Sequence, residues 1–155
     1  MKNGKSIGGV HMYNVIDVCN YIISYCRKKG YEITNLRLQK ILYFIQAFFL
    51  QEINTPCFEN QMEAWNLGPV VPEAYHFFKE FGSKPLSEKK GSMSQDIELE
   101  DKNRINEVLD CLSKYSTYQL VNITHNQKPW KKNHKEYENN PIPIEDIRSI
   151  IEHGN

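Results

Sequence analysis

The residues of this 155-residue chain with the most specialised side-chain chemistry are five histidines and four cysteines. His11, His76, His125, His134 and His153 are scattered, and no pair stands at helical metal-ligand spacing with a cysteine or carboxylate in support, so no metal site is expected. Cys19, Cys26, Cys57 and Cys111 form no CxxC pair and are too sparse for a disulfide-stapled module; they read as reduced core residues. Cys57 follows Pro56 in a turn, but a nucleophile needs a base and an oxyanion donor that no neighbouring motif supplies. His125, beside Thr124 and close to Pro129 and Trp130, is the histidine best placed for general-base work. A structural hydrogen bond at a helix exit is the stronger reading for it. Glycine-rich phosphate loops, paired catalytic carboxylates and a Ser-His-Asp signature are absent as motifs. The expectation is a protein without enzymatic activity, cofactor or metal.

Lys128, Lys131, Lys132 and Lys135, interleaved with Trp130 and Tyr137, have the composition of a contact with nucleic acid or an acidic protein. Glu136 and Glu138 dilute that cluster, and the whole chain balances 19 basic against 19 acidic residues for a formal net charge of zero. Nothing pulls it globally toward nucleic acid or anionic lipid, so a protein partner or small ligand is expected and nucleic-acid binding is the weaker reading. The longest hydrophobic run, residues 41–50, is interrupted by Gln46 and falls well short of the roughly 20 apolar residues that span a bilayer. A cytoplasmic location is expected.

The elements that must position these side chains follow from periodicity. Val15, Val18, Cys19, Ile22 and Cys26 share one helical face, and the basic turn Arg27-Lys28-Lys29 followed by Gly30 is a helix stop. Thr34 or Asn35 caps a second helix with Leu38, Ile41, Leu42, Ile45, Phe48 and Phe49 as its stripe; Leu36, Tyr43, Phe44 and Leu50 widen it almost all round, which predicts a central position. Residues 61–65 alternate polar with apolar as a short strand, Gly68-Pro69 makes a turn, and Pro72 opens a helix to about residue 81 with Ala74, Tyr75, Phe78 and Phe81 inward. Residues 82–100 read as a polar surface loop, with Ile97 and Leu99 a short strand pairing with residues 62–65. A helix with Ile105, Val108, Leu109 and Leu112 follows. Ser116 and Gln119 form a capping box for the next, which buries Leu120, Val121 and Ile123, and a terminal helix begins at Pro143 with Ile144, Ile147 and Ile151.

The predicted fold class is therefore mainly α: a compact single-domain bundle of about six helices with a short β-hairpin or strand element around residues 58–66. Residues 1–12, glycine-rich and ending in His11-Met12, read as an expression-derived or disordered arm, and residues 13–152 as the domain.

Three blocks lie in order along the chain: Leu36-Arg37-Leu38-Gln39-Lys40-Ile41-Leu42-Tyr43-Phe44, then Glu63-Ala64-Trp65-Asn66-Leu67-Gly68-Pro69-Val70-Val71-Pro72-Glu73-Ala74-Tyr75, then Thr124-His125 with Pro129-Trp130. Together they resemble the Panacea domain, also called SocA-like. The resemblance implies a mainly helical cytosolic antitoxin of bacterial and phage-borne toxin-antitoxin pairs, which neutralises a cognate protein toxin by direct binding and brings no catalytic activity. It also implies adaptor behaviour in some relatives, which look like presenters of a toxin to a protease. The alternative is a phage or prophage adaptor or inhibitor acting on a host protein; a DNA-binding regulator ranks below both. The family signature carries over to Trp65, Gly68, Pro69, Pro72, Tyr75, His125 and Trp130 as candidate partner-binding residues. The physical reading makes Gly68, Pro69 and Pro72 determinants of the strand-to-helix geometry and leaves the side chains displayed around that turn to meet a partner.

Overall fold

Helix α1 (Val15–Lys29) begins where the Asn14 side chain accepts the Ile16 amide and ends where Gly30, at φ 75°, takes the left-handed conformation and returns its N–H to the last carbonyls. These features belong to a computed structural model that describes residues 5–7, 10–89 and 96–152. Ahead of α1, strands β1 (Lys5–Ile7) and β2 (Val10–Met12) pair antiparallel within the stretch read as an arm. Helix α2 (Asn35–Ile53) is capped by Thr34 and closed by Asn54 at φ 56°. As its apolar circumference predicts, it is the central element, packed against the helices and strand named below. Leu38, Ile41, Leu42, Ile45 and Phe49 are buried on it and meet Ile22 and Cys19 of α1 and Ile105 of the fourth helix in one core.

The predicted strand is β3 (Met62–Trp65), joined by a tight turn to β4 (Gly68–Val70), with Glu63 opposite Val70 and Trp65 opposite Gly68. Its second neighbour is β5 (Asn140–Ile142), giving an antiparallel sheet ordered β4-β3-β5. The pairing expected from Ile97 and Leu99 does not form. Ile97 is buried as an anchor, and Leu99 opens helix α4 (Leu99–Leu112), whose acidic first turn, Glu100 and Asp101, suits the positive helix end. Of the loop expected between residues 82 and 100, residues 90–95 lie outside the described residues. In the rest, Leu86 is buried and its N–H donates to Ile33 O at 2.9 Å, so that part is tied down.

Pro72 starts α3 (Pro72–Phe77), continued by a 3₁₀ turn at Lys79–Phe81. Ala74 and Phe78 are its buried side, whereas Tyr75 and Phe81 remain half-buried. The capping box is present at α5 (Thr117–His125), with the Ser116 side chain on the Gln119 amide and the Gln119 side chain on the Ser116 amide. A short α6 (Lys128–Asn133) and the terminal α7 (Ile144–Glu152) complete seven α-helices among the described residues. The helix beyond the expected six is α6, whose Pro129 stands in the first turn. Cys19, Cys26 and Cys57 are buried as expected, but Cys111 is exposed: with Val108 and Leu112 turned inward on α4, its position falls on the outer face.

Candidate functional site

Strand β4 is an edge strand, and its outward backbone groups decide what surrounds it. Pro69 stands opposite Ala64. Lacking an N–H, proline cannot exchange both ladder bonds with a partner, so Pro69 O and then Val71 N point away from β3. Two side chains of α2 take both groups. Lys40 Nζ donates to Pro69 O at 2.7 Å, and Val71 N donates to Gln39 Oε1 at 2.9 Å. Gln39 Nε2 donates to Asn35 Oδ1 at 3.0 Å, and Asn35 Nδ2 to Tyr75 O at 3.0 Å, so the relay runs on to α3. Helix α2 thus supplies, with side chains, what a further strand would supply with its backbone.

Lys40 is 0% exposed. Burial pulls its ammonium down to about 7, because the charged form gives up water for a single carbonyl. Gly68 makes room for it: a Cβ there would lie 2.8 Å from Lys40 Nζ and 2.9 Å from Thr124 Oγ1, and φ of 113° is in any case a glycine conformation. Thr124, 0% exposed, donates its hydroxyl to Val121 O at 2.8 Å.

The turn between β3 and β4 is held from the other side by three stacked rings. Trp130 lies between His125, at 4.0 Å, and His134, at 4.3 Å. Trp130 Nε1 donates to Trp65 O at 2.7 Å, while His125 Nε2 and His134 Nε2 stand 3.0 Å from Asn66 O and Asn66 Oδ1. A backbone carbonyl only accepts, so His125 Nε2 carries the proton in this bond. Burial, above all, lowers the His125 imidazole from its ordinary range, and the Lys40 and His134 charges push the same way. The geometry therefore gives His125 the structural hydrogen bond expected of it.

The seven signature residues fall into two groups. Gly68 and Pro69 are buried in the Lys40 clamp, Pro72 starts α3, and His125 and Trp130 form the ring stack. Trp65 and Tyr75, in T-shaped contact at 5.1 Å, instead line an open groove of about 590 Å³. Leu67, Tyr118 and Tyr137 border the same groove and are 51%, 73% and 94% exposed. Sequence reasoning missed Lys40, Gln39 and His134 in the clamp and stack and Tyr118 in the groove, and it placed Tyr137 in a basic-aromatic cluster where the structure sets it on the groove. Gln39, Lys40 and Gln46 left one signal, polar side chains on a helix apolar all round. Tyr118 left none, because exposure depends on elements distant in sequence.

A family model described as antitoxin SocA-like, Panacea domain, matches residues 38–131, a span from α2 into α6 that contains the clamp and most of the ring stack. Antitoxin SocA of Caulobacter vibrioides (strain NA1000 / CB15N) is 32% identical over 128 residues, an alignment that spans 73% of this chain and 66% of that protein. No solved structure matches. No described helix is long and apolar enough to cross a membrane.

Proposed function

The chain belongs to the antitoxin SocA-like, Panacea domain family, and from that premise we propose that it neutralises a cognate protein toxin by direct, non-enzymatic contact in the cytoplasm. The family match over residues 38–131 carries this reading. The surface that suits it is the groove bordered by half-buried Trp65 and Tyr75 and exposed Tyr118 and Tyr137, since aromatic side chains converging on a concavity are the usual anchors of a protein interface. The clamp on β4 and the ring stack on Asn66 serve this surface by fixing the turn that carries Trp65 and Leu67.

The test is expression of the adjacent gene from an inducible promoter with and without this protein, followed by co-purification. Growth arrest that this chain relieves, together with a stable complex of the two proteins, is the expected result. A neighbour that is harmless alone, or one that arrests growth equally in both strains, defeats the proposal. Relief accompanied by loss of the toxin from the cell, and restored by deleting proteases, would instead mark an adaptor.

A further inference from the structure

A partner can extend the sheet as a further strand only if an edge offers free donors and acceptors, and here the outward donors of both edges are taken or missing. On β4 the outward groups Pro69 O and Val71 N are occupied by Lys40 and Gln39. On β5, Pro141 stands opposite Glu63, and a residue without an N–H takes the pairing position that faces outward, where it offers no donor. Recognition in the neighbouring groove therefore rests chiefly on side chains.

The side chains there have one consistent chemistry. Tyr137 occupies the third position of a turn closed by Glu138 N donating to Lys135 O at 3.1 Å, with φ of 67°. That position suits glycine or asparagine, and a tyrosine held in it is strained. Its ring is 94% exposed and gains almost no burial in return, so packing does not account for it. Glu138, next in the chain, and Glu32 both line the groove; Glu138 has no ion-pair partner among the described residues, and Glu32 is coupled electrostatically to Arg37 without a direct ion pair. Lys79 is the one cation among the lining residues, so carboxylates outnumber ammonium groups on walls that also carry exposed aromatic faces. Aromatic faces beside unpaired carboxylates are the environment that binds a guanidinium, which stacks flat on a ring while its N–H groups fork onto a carboxylate.

Resting on the reading that the partner is a protein, we propose that the groove receives an extended, arginine-bearing segment of that partner, its guanidinium stacked on Tyr137 and paired with Glu138. The volume of about 590 Å³ exceeds what one guanidinium fills and leaves room for the flanking residues of such a segment against Trp65, Tyr75 and Tyr118.

The experiment measures fluorescence anisotropy of a labelled peptide with one central arginine flanked by Leu, Gly and Ser, its lysine counterpart and its citrulline counterpart, against the full chain. The arginine peptide is expected to bind roughly tenfold tighter than the citrulline peptide, with lysine between them. Glu138→Gln should erase most of that preference. Tyr137→Gly should weaken binding about as much while leaving Tm unchanged or raised, because glycine relieves the left-handed backbone; Tyr137→Phe should retain binding. Equal affinity for the arginine and citrulline peptides, no binding of either, or full binding by Tyr137→Gly overturns the proposal. The same variants enter the toxin co-expression assay. If the unmodified chain neutralises and both Glu138→Gln and Tyr137→Gly neutralise equally well, the groove assignment fails and the antitoxin reading survives. If the unmodified chain does not neutralise, the antitoxin reading fails, and the peptide measurements alone decide the groove.

Discussion

At Gly68 two separate constraints coincide, a backbone at φ 113° and two side-chain atoms, Lys40 Nζ and Thr124 Oγ1, within 3 Å of where a Cβ would go. Neither neighbour retreats cheaply: Lys40 Nζ is held to Pro69 O, and the Thr124 hydroxyl to Val121 O. Gly68→Ala is therefore expected to cost about 3 kcal/mol or more, combining left-handed strain with overpacking. Gly30 is the control, since it too has positive φ, 75°, but nothing lies within 4 Å of its Cβ position. Gly30→Ala should cost only about 1 kcal/mol. Urea denaturation of both variants separates the two effects, and equal losses would show that the Lys40 and Thr124 contacts carry no weight at Gly68.

Among the elements, α5 depends most visibly on its cap. With nine residues it is too short to hold its own first turn, and Ser116 with Gln119 supplies the reciprocal bonds at 3.1 and 2.7 Å. Ser116→Ala should lower stability by about 1 kcal/mol in urea titrations, and an unchanged midpoint would refute the box as a stabilising device. This cap was legible in the sequence, as were α1, α2 and the Pro72 start of α3, because each signal lies within one turn or one helix face. The third strand was not. Asn140, Pro141 and Ile142 carry no alternation, and their partner β3 lies far back in the chain, so only the folded structure aligns them. Ile97 and Leu99 offered a closer imitation of a strand, yet Leu99 serves helix α4. At the site the division is similar. The Gly-Pro turn and the tryptophans announced themselves by type. Lys40 and Gln39 did not, because a polar residue in an apolar helix reads as its solvated side until a strand edge is found pressed against it.

For the molecule as a whole, the buried ionisable groups set how stability follows pH. Lys40 in the fold titrates at about 7, well below its ordinary 10.5, so across that window the unfolded chain keeps a proton the folded chain has released. Stability contributed by this group therefore rises with pH, with a slope approaching ~1.4 kcal/mol per pH unit between the two values. The lowered His125 imidazole acts in the same sense just below its ordinary value of 6.5. The buried thiols act oppositely. Burial pushes Cys26 up to about 11 and raises Cys19 and Cys57 from the same ordinary value of 9.0, so above about pH 9 the unfolded chain loses protons that the folded chain keeps. Tyr13 and Tyr43, likewise raised by burial, add to that decline above pH 10. Three thiols against one lysine reverse the sign of the slope, placing the stability maximum near pH 8 to 9. Lys40→Met keeps the length and the burial but removes the titration. Loss of the donor to Pro69 O costs stability at every pH, but the penalty of burying the amine, greatest at low pH, is removed. The variant should therefore lose its advantage over the unmodified chain steadily as pH rises, and be flat between pH 7 and 8, where the unmodified chain climbs. Urea titrations of both proteins at half-unit steps from pH 6 to 10 give the comparison. Parallel curves between pH 7 and 8 would mean that Lys40 stays charged in the fold and that the clamp on β4 is an ion–carbonyl bond at every working pH.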